Sequence, residues 1–370
     1  MIDVKKLIKI FKDNNINFFA GVPDSVLKNF TNHLDIEKKF EHLILTNEGS
    51  AVSSGIGYYL STKKIPAIYM QNSGLGNSIN PIISISHKNV YKIPLFLIIG
   101  WRGASKIKDE PQHLAQGRIT RQILNLCGIK YSILDNNSDL KEIKKLINHS
   151  RRNNQIVAIL IKKNTLKASN IKRKVVKKLN DRFLTRSSFI EILAKFLNND
   201  YRIISSTGYI SRELYNKIKK NNLKINPFYM VGGMGHSSIV SLGYSLKSKK
   251  KIICLDGDGS FLMHLGSAVS IGKYAGENYK YILLNNKVHE SVGGQSTNIE
   301  KVKLKEFSKS VGYKKYFYIK NENNCLNILK KFLKFKGSCF LEVNIEINKQ
   351  ENDLPRPKNF LKIKKDFLSI

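Results

Sequence analysis

The sequence predicts an α/β protein of two successive domains, each a parallel sheet flanked by helices, and three observations lead there. Short apolar runs alternate with helical stretches through both halves of the chain, as βαβ units require. Polar, glycine-bearing segments follow the strands, so they collect at one edge of each sheet. Residues 162–182 are rich in Lys and Asn and poor in large apolar side chains, which is the composition of a linker. Domains are therefore expected at 1–165 and 183–370, joined by 166–182. With 370 residues and 42% apolar content, the chain can bury two cores of ordinary size.

Taken in order, residues 1–11 read as an amphipathic helix capped by Asp3, with Val4, Leu7, Ile8 and Phe11 on one face. No apolar run there has the length of a secretory leader. Residues 17–20 form a strand that runs into Gly21-Val22-Pro23-Asp24-Ser25, where Asp24 or Ser25 is placed to cap a helix carrying Val26, Leu27 and Phe30. Residues 42–45 form a strand ending at Thr46-Asn47-Glu48. The stretch 49–60 after it is a helix whose small residues permit close packing. Strands at 67–70 and 94–99 end at Gln71-Asn72-Ser73-Gly74 and Gly100-Trp101-Arg102-Gly103, and 156–161 closes the first sheet. In the second half, strands are expected at 201–205, 228–231, 251–255, 281–284, 315–319 and 339–345. Residues 261–274 read as one apolar-periodic helix.

The net charge is +35, from 63 Lys and Arg against 28 Asp and Glu, which raises nucleic acid or an anionic membrane as partner. The distribution argues against both. The basic excess concentrates in residues 151–200, whereas 251–300 are nearly balanced, and no arginine-aromatic stripe, zinc-finger spacing or membrane span accompanies the charge. Neither a nucleic-acid nor a membrane partner is expected. A basic field does draw in a multiply anionic small molecule. The four cysteines lie in apolar segments without a C-x-x-C pair, which suits reduced thiols in a cytoplasmic protein.

The stretch Asp256-Gly257-Asp258-Gly259-Ser260 and the pair Asn285-Asn286 sit at the ends of two strands joined by a helix, so both reach the carboxyl edge of the second sheet. A carboxylate, an amide oxygen and a backbone carbonyl there suit Mg²⁺, whose remaining ligands come from a phosphate-bearing partner. The glycines let a diphosphate approach the backbone. An EF-hand loop is excluded, because its sixth and twelfth positions would be Phe261 and Ser267. Gly232-Gly233-Met234-Gly235 is loosely Rossmann-like, but no ribose-binding acid accompanies it.

On this Gly-Asp-Gly to double-Asn pairing the sequence resembles the thiamine-diphosphate enzymes. Further blocks in matching order narrow the resemblance to the phosphonopyruvate decarboxylases: Phe19-Ala20-Gly21-Val22-Pro23-Asp24-Ser25, Asn47-Glu48-Gly49-Ser50-Ala51, the run from Tyr69 to Asn77, Gly100-Trp101-Arg102-Gly103, Asp109-Glu110-Pro111-Gln112-His113, and the run from Val288 to Gln295. The resemblance implies a pyrimidine-binding first domain, a diphosphate-binding second domain, and thiamine diphosphate with Mg²⁺ as cofactors. It also implies at least a homodimer, with each active site between the first domain of one subunit and the second domain of another.

Residue by residue, the resemblance makes Glu48 the cofactor-activating carboxyl. Burial would keep it partly protonated, so that it can share a proton with a ring nitrogen. Met234 becomes the apolar residue under the cofactor, Gly232 the carbonyl facing its amino group, and Gly259 and Ser260 the lining of the diphosphate at a helix start. Asp258 and Asn286 become side-chain ligands of the metal and Val288 its backbone-carbonyl ligand. Asp24, His113, His236 and His289 are all candidates to protonate the carbon that CO₂ leaves. The run from Ser291 to Gln295 is a candidate nest of backbone N–H groups for the anionic head of the substrate. Arg102, Lys106, Lys108, Arg118 and Arg121 are alternative anion partners, and otherwise a solvated charge run. The implied reaction converts 3-phosphonopyruvate to phosphonoacetaldehyde and CO₂ in phosphonate biosynthesis. Sulfopyruvate decarboxylase, or another 2-oxo acid decarboxylase of the family, is the alternative.

Overall fold

The computed structural model describes residues 1–105, 107–167, 184–347 and 354–369. They fall into two compact units, Met1–Val175 with His289–Gln295, and Val176–Val288 with Ser296–Ile370.

The first unit is built on six parallel strands: β1 (Phe18–Gly21), β2 (Glu41–Ile44), β3 (Ala67–Gln71), β4 (Phe96–Trp101), β5 (Lys130–Leu134) and β6 (Val157–Lys162). Their order is β2-β1-β3-β4-β6-β5. Parallel strands buried on both faces feed alternate side chains to opposite cores. Phe96 and Ile98 of β4 enter one core with Phe11, Phe19 and Phe30, while Leu97 and Ile99 enter the other with Val52 and Leu124.

The helix Val4–Asp13 starts where expected, with the Asp3 side chain accepting from the Lys5 amide. The second helix differs from expectation. It spans only Lys28–Leu34, and Asp24 Oδ2 instead accepts from the amides of Val26 (2.9 Å) and Leu27 (3.1 Å), capping the turn that precedes it. The helix Glu48–Thr62 begins one residue earlier than the sequence suggested, capped by Asn47, so that Glu48 lies in its first turn. Leu166 is buried and bridges Ile2, and the Lys167 amide donates to the Ile2 carbonyl. The first residues of the expected linker are thus tied to the first unit, and 168–182 lie outside the described residues.

The second unit carries β7 (Leu184–Thr185), β8 (Tyr201–Ser205), β9 (Phe228–Tyr229), β10 (Lys251–Gly257), β11 (Tyr279–Asn285), β12 (Lys315–Ile319) and β13 (Cys339–Glu346), again all parallel. The order is β12-β13-β11-β10-β8-β9, with β7 beside β13. The helix expected over 261–274 is two helices, Asp258–Met263 and Ser267–Tyr274. His264-Leu265-Gly266 turn the chain between them, with the Ser267 amide donating to the His264 carbonyl. All four cysteines are buried free thiols. Among the described residues no helix is long and apolar enough to cross a membrane.

Candidate functional site

Two clusters of polar side chains gather at carboxyl ends of strands, one in each unit. In the first unit Glu48 is 5% exposed and its Oε2 accepts from Asn77 Nδ2 at 2.8 Å. Burial raises its pKa above the usual value, and the Asn77 bond only partly opposes this. Gly74 makes the position possible. A Cβ there would lie 2.3 Å from Glu48 Oε1, so any side chain would evict the carboxyl.

At the end of β4 a second carboxyl is buried in the same way. Asp24 is 1% exposed and pushed up to about 6, chiefly by burial, with backbone amides and the Arg102 charge pulling the other way. Among the described residues its Oδ1 has no hydrogen-bond partner. Gly100 gives it room, since a Cβ at that position would come within 2.1 Å of Oδ2.

Arg102 is neither solvated nor open to a ligand in the way expected of it. Its Nε and Nη2 form a two-point bond with Asp109 (2.8 and 2.5 Å), and Nη1 reaches Ser25 Oγ at 3.2 Å. Burial alone would raise Asp109, but the guanidinium and the Gly103 amide outweigh it and hold the carboxylate at about 2. His113 lies beside this ion pair and is lowered to about 4 by burial and by Arg102. Asn72 braces the turn, donating to the Arg102 carbonyl and accepting from its amide. Lys108, Arg118 and Arg121 are exposed, and Lys106 lies outside the described residues.

In the second unit Asp258 opens the helix after β10 and is 4% exposed. Burial pushes it up to about 7, against hydrogen bonds from the Thr297 hydroxyl and from the amides of Gly259 and Lys287. The Thr297 bond, Oγ1 to Asp258 Oδ2, is 2.7 Å. Neighbouring Asp256 is fully buried and raised by burial, and it accepts from Tyr281 Oη at 2.8 Å.

Beyond β11, Asn286 Oδ1 accepts from the Val288 amide at 3.1 Å and Lys287 adopts a left-handed φ of 65°. Val288 faces Ser296 in an antiparallel bridge flanked by the bonds Thr297 N to Lys287 O and His289 N to Gln295 O. A residue so flanked belongs to a non-hydrogen-bonded pair, so the Val288 carbonyl points away from the returning strand. The glycine loop joins the same cluster. The Met234 amide donates to the Gly232 carbonyl, and the Gly235 amide donates to Ser260 Oγ at 3.0 Å.

Other expected residues stand apart from these clusters or behave differently. His289 groups with the first unit and is lowered to about 4 by burial. The nest expected from Ser291 to Gln295 does not form as proposed. The amides of Val292, Gly293 and Gly294 all turn onto the His289 carbonyl (3.2, 3.1 and 2.8 Å), which removes them as donors to an anion. His236 is exposed, with Nδ1 3.1 Å from the Met234 carbonyl. Its ring lies 4.4 Å from that of His264, a residue that belongs to no motif in the chain. Asn77 and Thr297 were also missed. Each acts on a carboxyl far away in the chain, and no local pattern signals such a contact.

Two family models match the chain. "Thiamine pyrophosphate enzyme, N-terminal TPP binding domain" covers residues 4–124, and the corresponding C-terminal TPP binding domain covers 206–343. A phosphonopyruvate decarboxylase of Streptomyces viridochromogenes is 32% identical over 328 residues, spanning 85% of this chain and 81% of its own. A sulfopyruvate decarboxylase of Methanosarcina acetivorans is 28% identical over 359 residues, spanning 92% of this chain and 90% of its own. The alpha subunit of a sulfopyruvate decarboxylase of Methanococcus maripaludis is 39% identical over 123 residues, 33% of this chain and 71% of its own.

Proposed function

The chain belongs to the thiamine pyrophosphate enzyme family, and on that premise we propose that it decarboxylates 3-phosphonopyruvate to phosphonoacetaldehyde and CO₂, with Mg²⁺ beside thiamine diphosphate. The observation that carries the chemistry is Glu48, a carboxyl 5% exposed, raised by burial and held by an amide rather than a cation. Burial biases such a group toward its protonated form, which suits sharing a proton with a ring nitrogen. The second unit's oxygen donors fit a small hard cation. Asp258 is a buried carboxyl in need of a compensating charge, and Asn286 and Val288 offer amide and backbone oxygens beside it.

In this reading Asp258, Asn286 and Val288 hold Mg²⁺. Gly259 and Ser260 would line the diphosphate, Met234 would be the apolar residue under the cofactor, and Gly232 would offer its carbonyl to the cofactor's amino group. Thiamine diphosphate supplies a nucleophilic carbon for the 2-oxo group and a sink for the electron pair that CO₂ leaves behind. The chain's own task is then to move protons. Of the candidates, Asp24 suits the final protonation best, because burial raises it to about 6, toward the working range, whereas burial lowers His113 and His289 to about 4.

The phosphonate head is supported by the 32% identity to the Streptomyces viridochromogenes enzyme. Decarboxylation of the product would make a preceding carbon–phosphorus bond formation effectively irreversible, which suits phosphonate biosynthesis. The protein would act in the cytoplasm as at least a homodimer. A sulfonate substrate is the second reading, favoured by an alignment covering 92% of this chain.

Comparing kcat/KM for 3-phosphonopyruvate, sulfopyruvate and pyruvate, by aldehyde formation at fixed ionic strength, tests the assignment. The phosphonate should lead. Pyruvate, which lacks the charged head and the binding energy it supplies, should trail both anionic acids. Sulfopyruvate equal or ahead would overturn the substrate and leave the family chemistry intact.

A further inference from the structure

The two halves of the proposed cation site arise on different strands, Asp258 after β10 and Asn286 after β11, and the geometry of such a site depends on holding both. The two strands run parallel and paired up to Gly257 and Leu284, just before the ligand-bearing residues begin. Past that point the sheet no longer fixes their separation, and Lys287, a non-glycine residue in the left-handed region, gives the turn after β11 a conformation that needs support.

Thr297 touches both halves. Its hydroxyl donates to Asp258 Oδ2 at 2.7 Å and its amide donates to the Lys287 carbonyl at 3.0 Å. It is 3% exposed, so neither bond competes with bulk water. Its position is itself fixed on both sides, by the Val288 to Ser296 bridge before it and by the Asn298 amide bonded to Ser296 Oγ after it.

We propose that Thr297 is a positioning residue of the cation site, a clasp that sets the Asp258 carboxylate with its side chain and closes the Asn286–Val288 turn with its backbone. It rests on the cation reading given above. An O–H donor aimed at one carboxylate oxygen fixes the rotation of the whole group, and so the direction in which it meets a metal. The backbone half of the clasp persists in any variant. The side-chain half is therefore what mutation removes.

The test is Mn²⁺ affinity, measured by electron paramagnetic resonance with thiamine diphosphate present, for wild type, Thr297→Val, Thr297→Ala, Thr297→Ser and Asp258→Ala. Both donor-free variants should bind Mn²⁺ about 10–100-fold more weakly, as loss of a partner that orients a ligand does. Thr297→Ser, which keeps the hydroxyl, should restore affinity close to wild type. The loss of kcat in the Val and Ala variants should be larger at limiting than at saturating Mn²⁺, because a clasp acts first on how the site is filled. A purely structural role would lower Tm and kcat together and leave Mn²⁺ affinity of the folded fraction unchanged. Wild-type affinity in Thr297→Val and Thr297→Ala, with affinity lost in Asp258→Ala, overturns the clasp alone. Wild-type affinity in Asp258→Ala as well overturns the cation reading beneath it.

Discussion

Glu48 and Asp258 occupy matching places in the two units. Each stands in the first turn of a helix that follows a parallel strand, each is almost wholly buried, and each is pushed above the ordinary carboxylate range by that burial. Their neighbours differ. Glu48 meets one side-chain amide, from Asn77, and the bare backbone of Gly74. Asp258 meets a hydroxyl and the amides of Gly259 and Lys287, an array that favours the charged form wherever a cation can offset the cost of burial. One strand-to-helix frame thus carries two surroundings, a carboxyl met by one side-chain amide and a carboxyl met by a hydroxyl and two backbone amides that favour its charge. The distinction lies in the donors brought from elsewhere in the chain.

Asp258→Ala should break the comparison most severely. Without its carboxylate the cation loses its charged protein ligand, and thiamine diphosphate should bind at least about 100-fold more weakly in the presence of Mg²⁺. Equilibrium binding measures this directly. A variant that retains the cofactor like wild type would make Asp258 a second proton-bearing carboxyl and erase the contrast.

Asp24 sharpens the comparison from the other side, because burial outweighs the backbone amides and the Arg102 guanidinium that favour its charged form. Its folded pKa of about 6 lies above the unfolded value of 3.8, so the folded chain holds a proton that the unfolded chain has released. The stability this group contributes is complete below the unfolded value and is lost as pH rises through about 6. Such a shift corresponds to about 3 kcal/mol. Thermal melts of the cofactor-free protein should therefore show a fall in Tm between pH 5 and pH 8 that is smaller in Asp24→Asn. An identical fall in both proteins would show that Asp24 is charged throughout.

The elements that place these carboxyls were legible in the sequence because parallel strands are apolar runs closed by glycine-bearing turns. β8 and β12 occupy the expected residues, and β10 and β11 extend the expected runs by one or two residues at their ends. β5 was not legible. It is an edge strand, and Lys130 is exposed and Tyr131 and Ser132 half-buried, so it lacks the apolar run that marks its neighbours. The break at His264 to Gly266 was hidden by apolar residues that keep helical spacing across it. At the site, the carboxyls and the double Asn could be read from type and position. Asn77, Thr297 and the Arg102–Asp109 pair could not be assigned partners, because hydrogen bonds between distant segments leave no period in the chain. The turn of residues 291–295 shows the same limit, since whether an amide faces a ligand or its own carbonyl is a matter of dihedral angles and not of composition.

A shared proton at Glu48 is the central claim of the proposed chemistry, and Glu48→Gln isolates it by keeping shape while removing the carboxyl that would share it. Exchange of the C2 proton of bound thiamine diphosphate in deuterated buffer reads that function without requiring substrate. The cofactor should bind Glu48→Gln nearly as well as wild type, while C2 exchange and kcat fall together by about 10²–10⁴. Exchange at the wild-type rate in Glu48→Gln would contradict the role of Glu48 as the activating carboxyl and leave it a buried structural residue.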